Sequence, residues 1–291
     1  MPVYPVAASR NRNFIAAAPF AGAYDAIPSI VAAYGPRRGL TAYNSYQYLL
    51  RRDSDNDEEA FGTDSAGNLR TDLIASWQGA ANAYIVTMFD WSGNGNDASQ
   101  TTAASQPLYV ASGQNSRPVG RWDGTNDFLS IANAAPLSPS YISVVSVIKA
   151  VSYPVEPKIV SLPSNNGWSP PYASYCFGVR HGARVSSLFI NTNVNEKSGT
   201  AVQVTGTAYV LSTTYDGTIR LFNNGMADGE LLVGSAINSS TKNIAIGANN
   251  TFAASEFWSG DIYELIICNA ALSTGDRVAA EAAANSYWAV Y

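Results

Sequence analysis

Charge is scarce in this sequence. Only 13% of its 291 residues are Asp, Glu, Lys or Arg, where about a quarter is usual for a soluble domain. Lys and Arg number 17 against 22 Asp and Glu, a net charge of -5, and no basic cluster is longer than Arg37-Arg38 or Arg51-Arg52. That leaves no footprint for a phosphate backbone or an anionic lipid surface, so neither nucleic acid nor membrane is an expected partner. Histidine is almost absent: His181 is the single one, and Cys176 and Cys268 are the only cysteines. A zinc site built from His and Cys is therefore nearly excluded. A serine–histidine triad would have to use His181, and no Gly-x-Ser-x-Gly turn accompanies it. No run reaches the ~20 apolar residues that a membrane span needs. Near the start, Arg10 and Arg12 precede a short apolar stretch that Pro19 interrupts, so a signal peptide is not expected and synthesis in the cytoplasm is.

What is present is apolar and β-prone. The chain is 46% hydrophobic, with 17 Tyr, 23 Gly and 14 Pro, enough for a large core. From Tyr109 onward come short β-rich runs separated by turn residues: SYISVVSVIKAV, ASYCFGV, VSSLFI, AVQVTGTAYVLSTTY, GTIRLFNNG, KNIAIGA and GDIYELIICNA. This spacing predicts an all-β, two-sheet antiparallel sandwich. In GTIRLF the alternation places Ile219 and Leu221 on one face and Thr218, Arg220 and Phe222 on the other, while Asn224-Gly225 and Asp228-Gly229 suit the positive φ of hairpin turns. Helix signals are few. Leu73, Ile74 and Trp77 predict a short helix over 71–78. Ser273 is placed to cap a C-terminal helix with Asp276 in its first turn, and Val278, Ala282 and Tyr287 or Trp288 are expected to form its docking stripe. Residues 1–21, with three prolines and no periodicity, read as an extended arm, and 22–291 as a single domain.

Most acidic residues have structural readings. Asp216, Asp228 and Glu230 are expected at hairpin turns, Asp90, Asp123 and Asp127 in turn motifs, and Asp261 and Glu264 in the final strand. Asp90, at the start of a Ser-Gly-Asn-Gly loop, is expected to accept loop N–H groups and hold it shut. Asp53, Asp55, Asp57 and Asp64 have the alternation of a calcium loop, but Glu58 stands where that loop's sharp turn demands Gly, so a solvated inter-strand turn without metal is expected. Cys176 and Cys268, each inside an apolar run, are expected as buried free thiols, and His181 as a turn residue beside Gly182. For a glycan, the loop carrying Trp168 and Tyr172 is the expected contact, the two rings stacking on sugar faces.

Two blocks resemble known families. YQYLLRRDSDNDEEAFGTDSAGNL and YIVTMFDWSGNGNDASQ, the latter with Phe89-Asp90-Trp91-Ser92-Gly93-Asn94-Gly95-Asn96, resemble the catalytic-domain family of fungal α-L-arabinofuranosidase B. VGRWDGTNDFLSI, TTYDGTIRLFNNG and FWSGDIYELIICNAALSTGDRVAAEAAANSYW resemble laminin-G-like, concanavalin-A-like lectin and glucanase domains. Both imply a concanavalin-A-like jelly roll over residues 38–291. The arabinofuranosidase resemblance also implies a nucleophilic Glu on a central strand, yet 174–179 and 185–190 contain no carboxylate, so no catalysis is expected.

Three functions follow from these resemblances. A sandwich of low charge, with a Pro-rich arm and no signal, is similar to bacteriophage virion proteins. That implies a head-decoration or tail-associated surface protein on the virion, attached through the arm to capsid or tail, homo-oligomeric, its loops contacting host glycans, without a cofactor. The alternatives are a carbohydrate-binding lectin-like module and an arabinofuranosidase-like hydrolase.

Overall fold

The computed structural model describes residues 20–166, 173–192, 194–249 and 256–291. In chain order its strands are β1 (Ile30–Tyr34), β2 (Tyr46–Arg52), β3 (Glu58–Gly62), β4 (Ala83–Met88), β5 (Ala98–Ser99), β6 (Leu108–Val110), β7 (Val119–Asp123), β8 (Leu129–Ile131) and β9 (Ile142–Ala150). They continue with β10 (Lys158–Pro163), β11 (Ala173–Arg180), β12 (Val185–Asn191), β13 (Glu196–Ser198), β14 (Ala208–Tyr215), β15 (Thr218–Asn223), β16 (Met226–Leu232), β17 (Ile244–Ile246) and β18 (Ser259–Cys268). Two helices, α1 (Thr71–Gln78) and α2 (Thr274–Trp288), stand where the sequence predicts them.

All pairings are antiparallel. One sheet runs β18–β9–β14–β15–β16, with β7 and β1 end to end along the other edge of β18. The opposite sheet runs β3–β2–β4–β5–β8–β17–β10–β11–β12–β13. Strand β6 pairs with both β4 and β7, joining the two sheets into a near-barrel. This is the expected concanavalin-A-like jelly roll.

The core lies between the sheets and includes Leu50, Ile85, Leu129, Val144, Ile148, Phe177, Leu188, Leu211 and Leu265. Each such side chain contributes about 1.5–3 kcal/mol by leaving water. Strands β9 and β18 carry apolar side chains on both faces because both faces are covered. Their second face, with Val145, Val147, Tyr263, Ile266 and Cys268, meets α2 through Ala280, Ala284 and Trp288. Strict alternation holds in β15, where Ile219 and Leu221 are buried and Thr218, Arg220 and Phe222 half-buried.

Two expectations need correction. The docking stripe of α2 is Arg277, Ala280, Glu281, Ala284 and Trp288, whereas Val278 is 48% exposed and Ala282 is exposed. Hydrophobicity misplaces the stripe because Arg277 and Glu281 enter the interior as a 2.5 Å ion pair, with Ser212 Oγ donating to Glu281 and the Arg277 guanidinium 3.7 Å from the Phe222 centroid. Asn224-Gly225 forms the β15–β16 turn with positive φ at both residues, but Asp228-Gly229 and Glu230 lie inside β16. Asp228 is buried there and accepts hydrogen bonds from Ser186, Thr200 and Ala201. Its carboxylate clamps the loop before β14, which no local Asp-Gly signal can reveal.

Candidate functional site

Strand register assembles the site. Arg51 on β2 is opposite Tyr84 on β4, Tyr84 opposite Leu108 on β6, Leu108 opposite Arg121 on β7, and Arg121 opposite Asp261 on β18. Directly paired residues share a sheet face, so these five form one row across the junction of the two sheets. Above the row is a cavity of about 670 Å³. Ala103, Ala104 and Gln106 wall one side, the β7–β8 turn with Asp123 and Asp127 another, and Asp53, Val151 and Ser259 complete the rim.

The floor is fixed by polar contacts. Arg51 donates from Nε to Gln106 Oε1 at 2.7 Å, from Nη1 to Asn56 Oδ1 at 3.0 Å and from Nη2 to the Ala103 carbonyl at 3.5 Å. Its guanidinium is 5.1 Å from the Tyr84 ring centroid. Arg121 grips the fully buried Asp261 through Nε and Nη2, at 2.6 and 3.1 Å, and Lys149 approaches the same carboxylate at 3.4 Å. Such bidentate pairing fixes the Arg121 plane.

The turn at the rim is a closed unit. Asp123 Oδ1 accepts from the N–H groups of Thr125 at 2.8 Å and Asn126 at 3.2 Å, while Asp127 Oδ2 accepts from Asp123 N at 2.9 Å. Gly124 has φ +78 and a Cβ there would meet Ser259 Cβ at 2.6 Å, so the turn requires glycine. Asp127 Oδ1 has no hydrogen-bond partner among the described residues. Burial, reinforced by the Asp123 carboxylate, pushes the Asp127 carboxyl up to about 7. The cavity thus offers an aromatic face, oriented guanidinium groups and a carboxyl that titrates near neutrality, a set suited to a small polyhydroxylated ligand.

The expected glycan contacts Trp168 and Tyr172 lie outside the described residues. Asp53, Asp55, Asp57 and Asp64 do not converge: Asp53 accepts from Asn82 N and Nδ2, Asp55 pairs with Arg52, Asp57 accepts from Trp77 Nε1, and Asp64 accepts from Ala66 and Asn68 N–H groups. The first three belong to the β2–β3 turn, and among the described residues no cluster of three metal-ligating side chains occurs. His181 sits in the turn after β11, its Nδ1 2.6 Å from the Tyr153 carbonyl. Cys176 and Cys268 are free and buried, and burial pushes both thiols up to about 12. Asp90 holds its loop as expected, accepting from Ser92 N and Oγ and Asn96 N, and also from Ala33 N of β1. Sequence reasoning missed Arg51, Tyr84, Gln106 and Arg121 as a group, because three come from different strands and Gln106 from the segment before β6, all far apart in the chain.

The model of the concanavalin A-like lectin/glucanases superfamily matches residues 123–276, more than half of the chain. The chain belongs to that superfamily. Among solved structures it is similar to a GH54 α-L-arabinofuranosidase soaked with a cyclic sulfate inhibitor, at 13% identity and a TM-score of 0.67 over 87% of this chain and 62% of that one. It is likewise similar to an arabinofuranosidase complexed with arabinofuranosyl-α-1,2-xylobiose, at 15% identity and a TM-score of 0.67 over 90% of this chain and 64% of that one. The chain spans less than two thirds of the length of either enzyme, and at these identities the likeness is one of fold. No curated protein matches the sequence.

Proposed function

We propose that this protein is a non-catalytic, carbohydrate-binding lectin-like protein, and that its sugar occupies the cavity floored by Tyr84. The observation that carries this reading is the convergence of Tyr84, Arg51, Gln106, Arg121 and Asp127 on one cavity in a lectin-like fold. An aromatic face beside fixed donors and acceptors is the recurring chemistry of sugar recognition, because pyranose and furanose rings present C–H faces and hydroxyl edges. Absence of catalysis is supported by β11 and β12, which carry no carboxylate, and by Glu196, committed to Arg180 at 2.7 Å.

Replacing Tyr84 by Ala is expected to weaken saccharide binding at least about tenfold, the equivalent of 1.4 kcal/mol, with the far-ultraviolet circular dichroism unchanged. Isothermal titration against the best ligand from a glycan array reads this out. Equal affinity in the variant would remove the cavity as the site. Release of arabinose from a chromogenic arabinofuranoside would instead establish a hydrolase.

The virion-surface setting is the biological context we attach to this activity. It rests on the low charge of the chain and the three prolines of residues 1–21, that segment being proposed as the attachment to capsid or tail and copies of the chain as associating with one another. Co-sedimentation with intact particles in stoichiometric amounts is the expected result, and a chain found only in the soluble fraction would discard that setting.

A further inference from the structure

The cavity has a charge pattern that narrows its ligand. Arg51 is buried, at 9% exposure, and all three of its hydrogen-bond acceptors are neutral: the Gln106 and Asn56 amide oxygens and the Ala103 carbonyl. No carboxylate among the described residues lies within ion-pair reach of it, even though Glu58 is its register partner on β3. The neighbouring cations are paired, Arg121 and Lys149 with Asp261 and Arg52 with Asp55. A buried guanidinium without a counter-charge is costly, and a ligand carboxylate in bidentate contact relieves that cost.

The acids at the rim do not supply that counter-charge. Asp53 is engaged by Asn82 and Asp123 by the N–H groups of its own turn. Asp127 is the exception. Its Oδ2 accepts from Asp123 N, its Oδ1 has no hydrogen-bond partner among the described residues, and the residue lines the same cavity as Arg51. With Asp127 neutral, Arg51, Arg121 and Lys149 balance Asp53, Asp123 and Asp261. With Asp127 ionised the site is negative and repels an anion.

We propose that the cavity selects a saccharide bearing a carboxylate, a uronic acid residue, with that carboxylate seated on the Arg51 guanidinium and the Asp127 carboxyl donating a hydrogen bond beside it. The inference rests on the carbohydrate-binding reading and names the ligand class of the same site. Its linkage has a definite sign. A bound anion favours neutral Asp127, so the competent fraction falls as pH rises through the titration of that carboxyl near 7. The charged groups that line the cavity with Asp127 are Asp123 and Arg121 on β7, and Arg51 and Asp53 from β2 and its turn. None of these is a histidine that would titrate in the same interval.

The test is titration of the full chain with oligogalacturonides and oligoglucuronates, their methyl esters, and neutral arabino- and galacto-oligosaccharides, at pH 6 and pH 8. A uronate is expected to bind, its ester at least about tenfold more weakly, and the uronate affinity to fall about tenfold from pH 6 to pH 8. Asp127→Asn, which keeps a donor and loses the titration, is expected to bind equally at both pH values. Arg51→Gln is expected to lose the preference for acid over ester, the uronate falling to the affinity of its methyl ester. Equal binding of acid and ester, or binding of neutral sugars alone, overturns the acidic-sugar inference and leaves the carbohydrate reading standing. A pH dependence that survives in Asp127→Asn also overturns the inference. Binding of no saccharide at all overturns both.

Discussion

Replacing Glu264 by Gln is expected to lower the free energy of unfolding by about 3–5 kcal/mol, the cost of breaking a buried ion pair by removing one charge. Glu264 is almost fully enclosed on β18. Its two oxygens accept from Arg37 Nε at 2.9 Å and Nη2 at 3.0 Å, and Trp288 Nε1 of α2 donates to it at 2.8 Å. Arg37 in turn donates to Tyr24 Oη at 2.7 Å and to the Ala283 carbonyl at 3.2 Å, its guanidinium between the rings of Tyr24 and Tyr287. The substitution leaves this guanidinium enclosed with no negative partner. It also weakens the anchor of α2, where Trp288 stacks on Tyr263 at 5.0 Å. Urea denaturation followed by tryptophan fluorescence measures the loss. A change below about 1 kcal/mol would mean that Arg37 reaches water once Glu264 is neutral.

The second large effect is expected at Asp90. Its carboxylate accepts four hydrogen bonds, from Ala33 N, Ser92 N, Ser92 Oγ and Asn96 N, at 2.8 to 3.1 Å. Asp90→Ala orphans all four donors, and an unsatisfied buried group costs about 1–3 kcal/mol. Partial rescue of the exposed loop donors by water brings the expected loss to about 3 kcal/mol. Because Ala33 belongs to β1, the damage extends beyond the loop, and hydrogen exchange is expected to quicken along 30–34 as well as 90–96. Exchange confined to 90–96 would show that Asp90 serves its loop alone.

The loop-closing part of that role was legible in the sequence, since a carboxylate heading a Ser-Gly-Asn-Gly loop has its loop donors within six residues, whereas the bond from Ala33 N was not. The fold was legible for a similar reason: alternation in β15 and the apolar-rich runs of β9 and β18 each report a local environment. Helix α1 and the Ser273 cap of α2 are local signals too, and Ser273 Oγ accepts from Asp276 N at 3.1 Å. The failures share the opposite property. Arg277 and Glu281 look like surface residues until their mutual pairing under Phe222 is seen, and Asp228 looks like a turn residue until the loop it clamps is in place. The cavity is the extreme case, because Arg51, Tyr84, Arg121 and Ser259 meet only through register across five strands. Asp127 was recognised as a turn residue, correctly, but nothing local says that it lines a cavity.

Strand β18 also dictates an order of events in folding. It is the last strand of the chain, yet it fills the slot bounded by β9 on one side and by β1 and β7 on the other. Its pairing with β1 joins residues more than two hundred positions apart, the kind of long loop closure that slows folding. During synthesis β1, β7 and β9 must wait with open edges until residue 268 has left the ribosome, and such edges invite association with other chains. A nascent chain halted before residue 259 is therefore a candidate for chaperone capture, whereas the complete chain seals all three edges with a single strand.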